Sequence, residues 1–228
     1  MENIAILLAA GNSERMKQKT KKQFMKIKNK YLLEYSLSTY LKLDFIDKII
    51  LVTNLNSIPK TLIKKYANKI IFIEGGMERY ESVYNALDFI DKILDIHDGY
   101  VFIHDCARCF TNPSDIKRVY RELKKSKAQI LASKVSDTIK ITNNKNKKII
   151  INSTPDRSTL FAAGTPQAFD IKLISKSYEK YMMKKRKPFM ATDDAMMVEY
   201  FSNKKVHITT AQYPNPKITT KSDLVYFK

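Results

Sequence analysis

A chain of 228 residues, 44% of them hydrophobic, can bury a substantial core in one domain, and no apolar run approaches the length needed to cross a bilayer. The start, MENIAILLAAG, has acidic Glu2 where a secretory signal would carry positive charge, and two cysteines cannot make a disulfide framework, so a soluble, cytoplasmic protein is expected. The balance of 41 Lys+Arg against 23 Asp+Glu, formally +18, suggests an anionic partner (nucleic acid, a membrane surface or phosphorylated small molecules) or else a drift toward Lys, Asn and Ile that leaves most lysines on solvated faces.

Along the chain, short β-branched runs at Ile4–Leu8, Ile49–Thr53, Ile70–Ile73, Tyr100–His104 and Ile130–Val135 predict buried strands. Between them, Leu33, Leu37, Tyr40 and Leu41 form one helical stripe, and Val83, Leu87, Ile90 and Leu94 form another. This alternation predicts an α/β fold with a mostly parallel central sheet and helices on both faces. The rhythm breaks after Val135. Residues 139 to 152, IKITNNKNKKIINS, place two β-prone ends around the polar tip Asn143-Asn144-Lys145-Asn146, which reads as a hairpin arm inserted into the sheet domain. Helices near 170 to 186 and 193 to 202 follow, with short strands at 205 to 210 and 216 to 219, and neither repeat nor linker interrupts the chain.

The first strand runs into LLAAGNSERMKQKTKKQF, where small residues and Gly11 let backbone N–H groups approach a ligand, as in phosphate-cradling loops. One glycine is too few for a dinucleotide fingerprint, and the GK[ST] ending of a P-loop is missing. The distinguishing feature is charge: Arg15, Lys17, Lys19, Lys21 and Lys22 crowd the segment after the turn, at the carboxyl end of a strand where open α/β sheets bind ligands. The third strand exits into EGGMERYESVYNAL, where Gly75-Gly76 makes a tight turn and the Ser82 hydroxyl caps the next helix or holds a ligand.

HDCARCF, residues 104 to 110, offers three metal-ligand types in His104, Cys106 and Cys109. A structural zinc needs four, and only His97 and His207 remain, far apart in sequence, so neither zinc nor a redox pair is the favoured reading. The stretch reads as a strand end presenting Asp105, a carboxylate suited to Mg²⁺ on a polyphosphate. Four later fragments, SDTIK, DRSTLFAAGTPQAF, ATDDAMMVE and NPKITTKSDL, read singly as caps and turns.

Together and in order, AAG…RM…KKQF, GGxxRxxSV, HDxAR, DTIK, DR…TPQxF, TDDA…VE and KITTxxDL span residues 5 to 224 and resemble the 2-C-methyl-D-erythritol 4-phosphate cytidylyltransferase family. Its close relatives are the ribitol-5-phosphate cytidylyltransferases. The resemblance implies a Rossmann-like nucleotidyltransferase fold in one domain, 1–228, with a β-arm at about 136–158 that embraces a second subunit. It implies transfer of CMP from CTP to the sugar phosphate with release of pyrophosphate, Mg²⁺ or another divalent cation as cofactor, and no nucleic-acid or membrane partner.

By the same likeness, Ala9, Ala10, Gly11, Asn12 and Ser13 wrap the CTP, Gly76 and Ser82 read the cytosine, and Asp105 serves the Mg²⁺–triphosphate side. Arg15, Lys22 and Lys217 surround the reacting phosphate. Asp105, Arg108, Thr138, Thr165 and Lys217 face the sugar phosphate, with Arg157 reaching in from a partner's arm. The chain departs from the family pattern at Ser13, Met77 (where the family usually has an acidic residue), Cys106, Cys109 and Gly164, none of which removes a charged catalytic group. DTIK, NPKITTKSDL and Ala107 look more like the methylerythritol branch. The rival from another class, a basic nucleic-acid binder, requires exposed aromatics interleaved with its cations, and the stacking motifs of common RNA modules are missing.

Overall fold

A computed structural model describes residues 1–11, 21–145 and 148–227. Its first half alternates strand and helix: β1 (Glu2–Ala9), the short ribbon β2 (Lys26–Ile27) and β3 (Lys30–Tyr31), α1 (Leu32–Tyr40), β4 (Lys48–Thr53), α2 (Lys60–Tyr66), β5 (Ile71–Glu74), α3 (Arg79–Lys92) and β6 (Gly99–Asp105). Then come α4 (Pro113–Ser126), β7 (Ala128–Lys134), the hairpin β8 (Ile141–Lys145) and β9 (Lys148–Ser153), β10 (Phe161–Asp170), α5 (Ile171–Met183), α6 (Ala195–Phe201) and β11 (His207–Thr210).

Seven strands form the central sheet in the order β11-β7-β10-β6-β1-β4-β5. Neighbours run parallel except β10, which is antiparallel to both β6 and β7. The period-2 geometry of β1 sends Ile4 and Ile6 to one face and Ala5 and Leu7 to the other, and all four are fully buried. A strand buried on both faces needs apolar residues throughout, which is why its sequence shows no alternation. Val83, Leu87 and Ile90 of α3, Tyr178 of α5 and Val198 of α6 cover the Ile4/Ile6 face; Leu33 and Leu37 of α1, Leu62 of α2 and Ile116, Val119 and Leu123 of α4 cover the other.

The connections β1–α1–β4 and β5–α3–β6 therefore pass over opposite faces. A crevice opens at the carboxyl end of β1, between β4 and β6, as it does wherever strand order reverses in such sheets. Helix α4, absent from the sequence reading, starts at a clear signal: the Asn112 side-chain Oδ1 accepts the Ser114 N–H at 2.9 Å, with Pro113 in the first turn.

Two expectations need correction. No strand forms at 216 to 219; that stretch is irregular, and its β-like pattern comes from one fully buried residue, Ile218, whose N–H donates to the Ala107 carbonyl at 2.8 Å. Conversely, β10 lies in a stretch read as turns. Gly164 and Pro166 conceal it, and the structure accommodates them with a register shift between Ala163 and Gln167, where the missing N–H of proline costs no ladder bond. Among the described residues, no helix is long and apolar enough to cross a membrane.

Candidate active site

A cavity of about 570 Å³ occupies the carboxyl edge of β1, β5 and β6. Ala9, Ala10 and Gly11 supply one wall, Gly76 to Arg79 and Ser82 a second, and Lys22, Asp105 and Lys217 the floor and far side. β1 and β6 are in parallel register with Leu8 beside Asp105, so the two strands deliver the small-residue loop and the carboxylate to the same level. Gln23, buried in a one-turn 3-10 segment (Lys22–Phe24), donates its Nε2 to the carbonyls of Ala9 at 2.7 Å and Gly11 at 3.1 Å and so fixes the exit of β1. Asn12, Ser13 and Arg15, together with Lys17 and Lys19, lie outside the described residues.

The double glycine has a steric reason. A Cβ at Gly75 would stand 2.3 Å from the Cβ of Ala10, and one at Gly76 would stand 2.2 Å from the Cβ of Glu81, so only glycines bring the β5–α3 turn against the end of β1. The Gly76 N–H donates to the Ser82 hydroxyl oxygen at 3.0 Å. The Glu81 carboxylate accepts the N–H groups of Met77 at 2.8 Å and Glu78 at 3.1 Å, closing the first turn of α3.

Asp105 is the hub. Its Oδ1 accepts the Arg79 Nε–H at 3.1 Å and its Oδ2 accepts the Lys217 ammonium at 2.6 Å. Burial alone would raise this carboxyl, but Arg79 and Lys217 override it and hold it well below the usual carboxylate range. Lys217 arrives on the C-terminal segment, which the Asp223 carboxylate braces by accepting the N–H groups of Thr219 and Thr220; those bonds bring Asp223 down to about 2. The Lys22 ammonium donates to the Ile218 carbonyl at 2.9 Å, so both lysines are tied to the same turn.

Arg79 was not among the residues singled out from sequence. A cation in the first turn of a helix opposes the macrodipole, and that misfit was the available signal: such an arginine needs carboxylates to hold it. It has two, because its Nη1 and Nη2 also reach Oδ1 and Oδ2 of Asp194 at 2.9 and 2.7 Å. Asp194 is fully buried, and its sequence neighbour Asp193 performs the capping the sequence suggested, accepting the Met196 N–H at 3.1 Å.

Four residues expected to face a sugar phosphate stand off this cavity in the single chain. Thr165 is buried behind Asp105, accepting the Asp105 N–H at 3.3 Å and meeting His104 Nδ1 at 2.9 Å. The Arg108 guanidinium donates to the carbonyls of Asn215 at 2.8 Å and Ala163 at 3.3 Å, with its Nε buried and without a hydrogen-bond partner among the described residues. Thr138 and Arg157 are exposed near the foot of the β8–β9 arm, Arg157 donating to the Ser136 carbonyl at 2.6 Å. Cys106 and Cys109 are both buried free thiols, and burial pushes Cys109 up to about 12 and Cys106 well above its ordinary value, so neither is primed as a thiolate. Among the described residues no group of three His, Cys, Asp or Glu side chains forms a metal cluster.

The family model for IspD, 2-C-methyl-D-erythritol 4-phosphate cytidylyltransferase, matches residues 3–227. A relative of that description from Lachnoclostridium phytofermentans is 37% identical over 231 residues, spanning 99% of this chain and 95% of the relative. One from Clostridium botulinum is 38% identical over 228 residues, spanning 98% and 95%. The crystal structure of a 4-diphosphocytidyl-2C-methyl-D-erythritol synthase from Anaerococcus prevotii is similar at a TM-score of 0.83 and 33% identity, covering 99% of this chain and 94% of that one.

Proposed function

The chain belongs to the 2-C-methyl-D-erythritol 4-phosphate cytidylyltransferase family, and on that premise we propose that it transfers CMP from CTP to 2-C-methyl-D-erythritol 4-phosphate, giving 4-diphosphocytidyl-2-C-methyl-D-erythritol and pyrophosphate. The observation that carries the reading is the convergence of Lys22, Arg79 and Lys217 on one cavity around Asp105, beside the glycine-lined ends of β1 and β5.

The sugar phosphate is an anion at neutral pH, so it needs no general base. The barrier is repulsion between its oxygen and the α-phosphate of CTP, and charge that grows at the pentacoordinate phosphorus. Preorganised cations offset both. Lys22 and Lys217 supply that charge here, and Arg15 joins them by family likeness. Attack in line expels pyrophosphate. Ser82, whose oxygen accepts from Gly76, keeps its own hydroxyl proton to donate to the cytosine.

Asp105 is a single carboxylate with both oxygens engaged, which fits a divalent cation carried in on the triphosphate and touched by at most one protein group. Such an ion, when bound, neutralises the phosphates and the departing pyrophosphate.

One domain, 1–228, with its arm at about 136–158, completes the proposal as a cytoplasmic homodimer. On β9, Ile149 and Ile151 share one face and are 75 and 60% exposed, with Ile150, 50% exposed, on the other; a second copy would cover this apolar surface while Thr138 and Arg157 meet the sugar phosphate across the interface. The test is pyrophosphate release with CTP and each of two acceptors. Turnover on 2-C-methyl-D-erythritol 4-phosphate at least tenfold above that on D-ribitol 5-phosphate is expected; the reverse preference overturns the substrate, and silence with both overturns the activity.

A further inference from the structure

We infer that Asp194 is a positioning residue for the Asp105 centre, acting through Arg79; its kinetic consequence rests on the cytidylyl-transfer reading of the cavity. Asp194 is fixed from three elements, its carboxylate from two and its backbone from the third. Arg79 of α3 grips both oxygens end-on, Tyr178 of α5 donates its hydroxyl to Oδ1 at 2.6 Å, and Gln167 of β10 accepts the Asp194 N–H at 2.9 Å and that of Ala195 at 3.0 Å. Gln167 also donates its Nε2 to Asp193 at 2.9 Å, so one side chain of the antiparallel strand holds the whole start of α6.

A planar guanidinium held at both Nη atoms cannot swing about its own bonds. Its remaining Nε–H then has one direction, toward Asp105 Oδ1, which leaves Oδ2 for Lys217. Stability alone does not account for this arrangement. Buried ion pairs are commonly replaceable by apolar residues of similar volume without loss, whereas a fixed geometry at a reacting centre is not. Without the Asp194 charge, the two Nη groups are free to turn to Asp105 Oδ2, in competition with Lys217, or into the space a nucleotide needs.

The experiment is a double-mutant cycle on pyrophosphate release, with Asp194→Asn and Arg79→Gln singly and combined, beside thermal melting of each variant. Asp194→Asn is expected to lower kcat by about 10- to 100-fold with a smaller change in the KM for CTP, and to cost nothing further in the Arg79→Gln background. A purely architectural role for Asp194 predicts instead that the two losses multiply, and that result overturns the inference. Should Asp194→Asn fail to fold, Tyr178→Phe takes its place: a loss of about fivefold is expected, again vanishing when Arg79 is Gln. A substrate-free arm uses NMR of the Arg79 side-chain Nε–H, assigned by its disappearance in Arg79→Gln. It should be displaced and slowly exchanging in the unaltered chain and collapse among exposed arginines in Asp194→Asn or Tyr178→Phe; an unchanged signal overturns the positioning. If the unaltered chain turns over neither acceptor, the transfer reading falls, and the NMR arm still decides whether Asp194 aims Arg79.

Discussion

At the carboxyl edge of the sheet, Lys22, Arg79 and Lys217 each bond to a partner within their own chain, whereas the β8–β9 arm bares three consecutive isoleucines and holds Arg157 at its foot by a single backbone carbonyl. The cavity is set before any ligand arrives: buried strands fix Asp105, and the bonds around it fix the cations. The arm is held by its own β8–β9 ladder, and β9 is exposed along its whole length. Its exposed isoleucines and its arginine are proposed to meet a second copy of the chain. The described part of the nucleotide half of the site comes from one copy, while the acceptor half is expected to be shared. Damage at the edge should strike chemistry; damage at the arm should strike acceptor binding and association.

The largest effect belongs to the edge. Lys22→Ala is expected to lower kcat by about 10²- to 10³-fold, the loss typical of removing one preorganised charge-stabilising donor, with the circular dichroism spectrum unchanged. A kcat within threefold of the unaltered chain removes Lys22 from the reaction.

Next comes a pH window set just behind Asp105. His104 is fully buried, and burial, helped by Arg108, lowers it to about 4 from an ordinary value near 6.5. The unfolded chain therefore binds a proton below about pH 6.5 that the folded chain refuses until about pH 4, so stability falls as pH drops through that interval, by roughly 3 kcal/mol in full. Asp105, held low, contributes its loss only below the ordinary carboxylate range and does not blur the window. Chemical denaturation from pH 7 to 4 reads the slope, and His104→Gln should flatten it; an equally steep slope in that variant assigns the pH dependence elsewhere.

The arm should give the smaller and more selective result. Arg157→Ala is expected to raise the KM for the sugar phosphate about tenfold and that for CTP by less than twofold. Replacing Ile149 and Ile151 by Ser should favour the monomer in sedimentation while leaving the melting temperature of the sheet domain nearly unchanged. Equal effects of Arg157→Ala on both KM values would erase the proposed division of labour.

How much of this was legible beforehand follows the same divide between local and distant causes. Ile4 to Leu7 and Val101 to Ile103 announce central strands because burial on both faces demands unbroken apolar runs, and Asp105 announces itself by ending one of them. The arm is legible as two β-prone ends around a polar stretch, but Asn143, Asn144 and Lys145, expected at the tip, pair within β8, because paired strands exposed to solvent take polar residues as readily as apolar ones. Arg79 shows locally only as a cation misplaced at a helix start and Asp194 only as an ordinary cap, and nothing in the sequence joins them until the fold closes the 115 residues between them. Strand β10 hid behind Gly164 and Pro166, whose irregularity the register shift absorbs. The pairing of Lys217 with Asp105 across 112 residues likewise has no local trace.

The account stands most squarely on fixed cations bringing two phosphates together, and Lys217 tests it with least ambiguity because its partner and its bracing turn are both known. The measurement is the single-turnover rate of pyrophosphate release by Lys217→Ala with CTP and 2-C-methyl-D-erythritol 4-phosphate both saturating, so that binding is removed from the comparison. A rate at least about 100-fold below that of the unaltered chain, in a variant that melts cooperatively, is the predicted result. An undiminished rate would contradict the account.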